Sequence, residues 1–192
     1  RFSGSSDSSI AISGGTLRID ASGDGIDSNG ALTVSGGEIY VSGPTSDGDS
    51  AIDHDGSATV TGGTVIAAGY SGMAQNFGTD STQGSILLTS RSTSTETIRV
   101  TDASGSVLAE FAPAKAYSCV IVSTPALKQG GTYTVTMGGE STDVTLESLI
   151  YGTGGMGGQP GGGNMGTPPD GNGGGMGTPP DGNDGKGGRP GQ

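Results

Sequence analysis

The strongest constraint on this chain is a repeat built on a double glycine. IAISGGTLRID runs from Ile10 to Asp20, LTVSGGEIYVS from Leu32 to Ser42, and ATVTGGTVIAA from Ala58 to Ala68. The double glycines begin at positions 14, 36 and 62, so the periods are 22 and 26 residues. The extra residues of the second period fall in a loop, GPTSDGD. Each unit sets an alternating apolar–polar run on either side of Gly-Gly and then turns through acidic residues. Alternation of that kind is the mark of a strand with one buried face. In the second unit Leu32, Val34, Ile39 and Val41 share the inward face, and Ile26 and Ile52 each add an inward residue from a third short strand. Strand–turn units of this length with no helix point to a solenoid. Leucine-rich repeats are excluded, because their Leu and Asn positions are missing. The expected fold is all-β, with parallel β-helix coils of three short strands over residues 1–90. A lone coil cannot cover its own apolar face, so neighbours must stack on it. The visible coils are few, and further coils are expected ahead of Arg1.

The second half reads differently. SILLTS, ETIRVTD, SVLAEFA, YSCVIVS, TYTVTMG and DVTLESL are longer strand signals separated by turn residues. Residues 91–151 are therefore expected to form the terminal coils and a β cap of the same domain, since an open solenoid end is an exposed sheet edge. From 152 to 192 the chain is rich in Gly, Pro, Met and Asn, and MGTPPDGN begins at both Met165 and Met176. Such a segment has no apolar period to bury, and it reads as a disordered tail or spacer.

Charge and composition narrow the function. The 192 residues include 41 Gly and no Trp, with a formal net charge of -11. An acidic chain repels nucleic acid and anionic membrane surfaces. No stretch approaches the roughly 20 apolar residues of a membrane span, which argues against membrane insertion. Cys119 is the one cysteine, so it has no internal disulfide partner, and its alternating context YSCVIVS reads as a small buried hydrophobe. A chain opening on Arg1 reads as part of a longer precursor, so a missing signal peptide says nothing about secretion.

The pieces GDGIDSNGALTVSGGEIYVSG, AIDHDGSATVTGGTVIAAGYSGMAQ and YSCVIVSTPALKQGGTYTV together resemble the secreted bacterial carbohydrate-binding domain-containing proteins of polysaccharide-degrading clostridia and their relatives. The resemblance covers about residues 1–150 and looks like the C-terminal portion of a longer domain. It implies a right-handed parallel β-helix similar to polysaccharide lyases. It also implies calcium binding, an extracellular location and association with cellulose or acidic pectin-type polysaccharide, without established catalysis.

The acidic turns bear on the calcium. In-register stacking places Asp27 beside Asp53, with Asp24, Asp49 and Asp55 crowding the same edge. No Lys or Arg stands between Asp20 and Arg91. Carboxylates one strand spacing apart, about 4.8 Å, repel by about 1 kcal/mol in water and by several at lower dielectric. Bound Ca²⁺ would relieve this, taking carboxylates and turn carbonyls as ligands. The alternative is a set of solvated turns, where Asp is common for backbone reasons. The resemblance tips the reading toward calcium. An EF-hand is excluded, because its ligand ladder ending in Glu is missing. Zinc is disfavoured, because His54 is the one histidine.

Three function classes follow. For binding, the outward position after each double glycine holds Arg18, Tyr40 and then Ile66. Tyr40 can stack on a sugar and Arg18 can pair with a carboxylate, with Tyr70 and Phe77 extending the platform. For catalysis, a uronate lyase needs a basic residue beside calcium, and Arg18 is the lone candidate near the acidic coils. For structure, the repeat and the Gly-Pro tail suit a cell-surface spacer or adhesin. Binding is the expected class: a monomeric, extracellular, non-catalytic binder of plant cell-wall polysaccharide.

Overall fold

The computed structural model describes residues 8–152. The expectation of a disordered tail falls, from residue 153 onward, outside them. The described residues are all-β with no helix, and so contain none long and apolar enough to cross a membrane.

The double-glycine units form the three longest strands, β1 (Ser9–Asp20), β3 (Ala31–Ser42) and β5 (Ala58–Gly69). β1 pairs with β3, and β3 with β5, both parallel. Between them lie β2 (Ile26–Ser28) and β4 (Ile52–His54), which pair parallel in a small sheet of their own. The double glycine explains how one strand keeps a single inward face. From Val34 to Ile39 is an odd step, which would put them on opposite sides of a regular strand. Both ladders shift register there, and Gly15, Gly37 and Gly63 take positive φ at the bulge. The shift returns Ile39 and Val41 to the face of Leu32 and Val34, and all four are buried with Ile26 and Ile52 in one core.

The remaining strands are β6 (Ser85–Ser94), β7 (Ile98–Asp102), β8 (Val107–Phe111), β9 (Tyr117–Ser123), β10 (Thr132–Met137), β11 (Glu140–Thr145) and β12 (Ile150–Tyr151). The main sheet runs β1-β3-β5-β9-β6-β12, and β11-β10-β7-β8 makes a second, antiparallel sheet. The sheets are thus mixed and are not a solenoid: β1–β3–β5, β2–β4 and β6–β12 pair in parallel, but β9 runs antiparallel to both β5 and β6. The reason lies at the bulge. A Cβ added at Gly62 would come 2.5 Å from the Ser35 carbonyl oxygen, so each bulge must nest on the one before it. YSCVIVS has no double glycine, and β9 pairs antiparallel with only the later part of β5, Val65–Gly69. The earlier part is closed by a loop. There the Val60 carbonyl accepts from the amides of Thr82 and Gln83, and the Val60 amide donates to Ser81 Oγ.

Alternation then gives the main sheet two buried faces. Val65, Ala67, Cys119 and Ile121 join the first core, whereas Ile66, Ala68, Val120 and Val122 enter a second core beneath the antiparallel sheet. The face expected to look outward is therefore covered along β5 and β9, and Ile66 is buried.

Candidate functional site

The acidic edge assembles as the repeat implies. Asp27 and Asp53 are register partners across β2 and β4. Asp24 accepts from the Ser50 amide at 2.6 Å, Asp49 from the Ser46 hydroxyl at 2.5 Å, and Asp53 from the Gln75 amide at 2.8 Å. Partial burial, followed by the charges of Asp24, Asp27 and Asp55, pushes the Asp53 carboxyl above its ordinary pKa. These side chains do not, as placed, fit a calcium cage. Among the described residues no three His, Cys, Asp or Glu side chains stand together closely enough to hold a metal ion. Asp24, Asp49 and Asp53 each give an oxygen to a neighbouring N–H or O–H instead. His54 contacts the Gly56 carbonyl through Nδ1 at 2.7 Å, and its Nε2 is buried without a hydrogen-bond partner.

The four residues expected to bind carbohydrate do not form one platform. The Arg18 guanidinium carbon sits 4.5 Å from the centre of the Tyr40 ring. That ring also tilts against Phe111, with centroids 5.3 Å apart. Tyr40 is thereby engaged by two protein partners and packs against the second core. Phe77 is buried in the first core at 3% exposure, beyond reach of a ligand on the surface. Tyr70 lines a cleft.

That cleft, about 550 Å³ in volume, arises from a fault in the ladder. β9 lies between β5 and β6 and runs against both. Thr89 of β6 pairs with Cys119 in register, but the next pairing is Ser94 with Tyr117. Ser90, Arg91, Ser92 and Thr93 are thus set against Ser118 alone. A strand with such an excess must leave the ladder, and irregularities of this kind re-aim side chains. On the other side β5 ends at Gly69, opposite the same Cys119, and the chain departs through Tyr70 and Ser71. The two strands diverge over the start of β9. Ser118, Ser71 and Tyr70 line the opening together with Thr89, Ser90 and Thr93.

Two charged groups complete the lining, Asp47 and Arg91. Asp47 comes from the loop after β3 and is tied down by one oxygen, which accepts from the Gly72 amide at 3.0 Å. A side chain at Gly72 would collide with the Asp47 backbone, so glycine is what permits this approach. Arg91 is exposed and takes part in neither of the two ion pairs among the described residues, Arg99–Glu110 and Lys115–Asp20. The cleft therefore presents an aromatic ring, a carboxylate with a spare oxygen, an unpaired guanidinium and several hydroxyls. Such a lining can stack on a pyranose face, accept from vicinal hydroxyls and pair with a carboxylate. Sequence reading missed Asp47, Ser71, Thr89, Ser90, Arg91, Thr93 and Ser118. One signal was present: Arg91 is the first Lys or Arg after Arg18, in a stretch otherwise acidic.

No family model, curated protein or solved structure matches the chain.

Proposed function

We propose that this protein is an extracellular, non-catalytic binder of polysaccharide, and that the cleft around Tyr70 and Arg91 receives the sugar. The single observation that carries this reading is the convergence of an aromatic ring, an unpaired guanidinium and hydroxyl groups where the β6–β9 ladder fails. The Arg91 guanidinium can pair at close range with a uronate carboxylate, so the reading favours a pectin-type polymer over cellulose although the net charge of -11 opposes the long-range approach of a polyanion. The resemblance of the repeat phrases to secreted bacterial carbohydrate-binding proteins supports the same class. Residues 9–69 are read as coils of a right-handed parallel β-helix, and the antiparallel sheet as their cap. The parallel pairing of β1 with β3, of β3 with β5 and of β2 with β4 supports this. Calcium has no part in the proposed contact, since the cleft's own charges supply the recognition.

The test is retention on polygalacturonate and on insoluble cellulose, with and without chelator. Retention on polygalacturonate that survives chelator and is lost in Arg91→Ala supports the reading. Retention on neither polymer refutes it. Release of unsaturated uronates, followed by their absorbance, would make the protein a lyase instead.

A further inference from the structure

The first coil is left bare in a way its successors are not. Leu17 is 37% exposed, whereas its register partner Ile39 and the next in line, Val65, are both at 0%. Ile10, Ile12 and Ile19 are only half-buried, whereas their partners Leu32, Val34 and Val41 are fully buried. β1 is also the edge strand of the main sheet, so among the described residues one side of its backbone has no ladder partner.

The double glycine of β1 gives a second, independent observation. The first glycine of each later pair is required by the coil before it. A Cβ at Gly36 would sit 2.6 Å from the Ser13 carbonyl oxygen, and one at Gly62 would sit 2.5 Å from that of Ser35. Each Cβ points toward the preceding coil. At Gly14 a Cβ would meet nothing within 4 Å, and Gly14 has no positive φ to require glycine. Nothing within the described residues demands glycine there. A backbone lying one layer beyond β1 would demand it.

We propose that the free edge of β1 is a docking edge for one further coil of the same pattern. The occupant is an extended strand–Gly-Gly–strand segment running parallel to β1. Its bulge nests on Gly14 and Gly15, and its inward apolar side chains cover Ile10, Ile12, Leu17 and Ile19. Parallel strand addition supplies backbone hydrogen bonds for affinity, and the bulge sets the register.

The probe is a synthetic peptide with the sequence of Ala31–Ser42, titrated into the isotopically labelled chain. The expected result is saturable shifts confined to the methyls of Ile10, Ile12, Leu17 and Ile19. In Gly14→Ala those shifts should vanish while the melting temperature of the free chain stays at the wild-type value. No shifts at these methyls, or equal shifts in Gly14→Ala, would overturn the proposal. So would a concentration-dependent dimer in sedimentation that Leu17→Lys abolishes, because the edge would then belong to a second copy of the chain.

Discussion

Asp27 and Asp53 face each other as register partners on adjacent parallel strands, and no Lys or Arg lies between Asp20 and Arg91 in the sequence. The edge they form holds repulsion in the folded state. Asp53→Asn removes one charge and keeps an oxygen to accept from Gln75. We expect a higher melting temperature than wild type at neutral pH and low salt, with the difference shrinking as salt is added. Thermal unfolding across a salt series checks it. A variant less stable than wild type at low salt would mean that the charge of Asp53 is neutralised by something bound.

The same group sets a pH dependence. Burial and then its acidic neighbours hold the Asp53 carboxyl above the ordinary 3.8, so folding favours its protonated form. Its stabilising contribution is complete below 3.8 and is lost as pH rises through the raised folded value. Asp102 acts in the opposite sense. Hydrogen bonds from the Ser104 hydroxyl, then the Ser106 amide, hold its carboxyl below 3.8, so its contribution is present above that value and is lost as pH falls further. Melting curves from acid to neutral pH should show wild type gaining on Asp53→Asn as pH falls just above 3.8, whereas Ser104→Ala should lose only stability that wild type holds above that pH.

Gly62 nests on Ser35 and should not tolerate a methyl group. Gly62→Ala is expected to cost about 1–3 kcal/mol, the usual range for forcing extra volume into a packed site. Gly14→Ala, in open space, should cost nothing measurable. Denaturant midpoints of the two variants compare them directly, and equal midpoints would mean that the bulges do not nest as described.

Much of this was legible in the sequence. Alternation located most strands of both halves, though DVTLESL meets β11 only at Asp143–Thr145 and β12 was not read, and the spacing of the double glycines located the parallel pairing, because the bulges nest on one another. Alternation says which residues share a face but not what covers it. Tyr40 and Ile66 were therefore read as outward, although the antiparallel sheet buries that side. Phe77 was read as a loop aromatic, although its loop folds back onto β5. The cleft was illegible for a different reason. It joins residues near positions 47, 70, 90 and 118, and it depends on β9 entering between β5 and β6, which no local pattern announces.

Asn76 fastens that closing loop to the end of the described chain. Its side-chain amide donates to the carbonyls of Tyr151 and Gly152, at 2.9 and 2.7 Å, and its oxygen accepts from the Ser85 hydroxyl at 2.6 Å. Asn76→Ala strips the buried Ser85 hydroxyl and the half-buried Tyr151 carbonyl of this partner and should cost about 1–3 kcal/mol. Faster hydrogen exchange at Ser85 and Ile86 should accompany it, since those residues pair with β12.

Burial pushes the Cys119 thiol up to about 12, so the thiolate that reacts is suppressed near neutral pH. Iodoacetamide should leave the native protein unmodified and label it fully in denaturant. Rapid labelling of native protein would show that the main sheet opens at β9.

The central claim is that the cleft between Tyr70 and Arg91 receives a sugar. The most direct measurement is amide shift mapping of the labelled protein as a short oligogalacturonide is added. The account predicts saturable shifts at Tyr70, Ser71, Thr89–Thr93 and Ser118, weakened at least about tenfold in affinity by Tyr70→Ala, the loss expected when a stacking ring worth about 1.4 kcal/mol is removed. Shifts centred instead on Arg18 and Tyr40, or none at all, would contradict it.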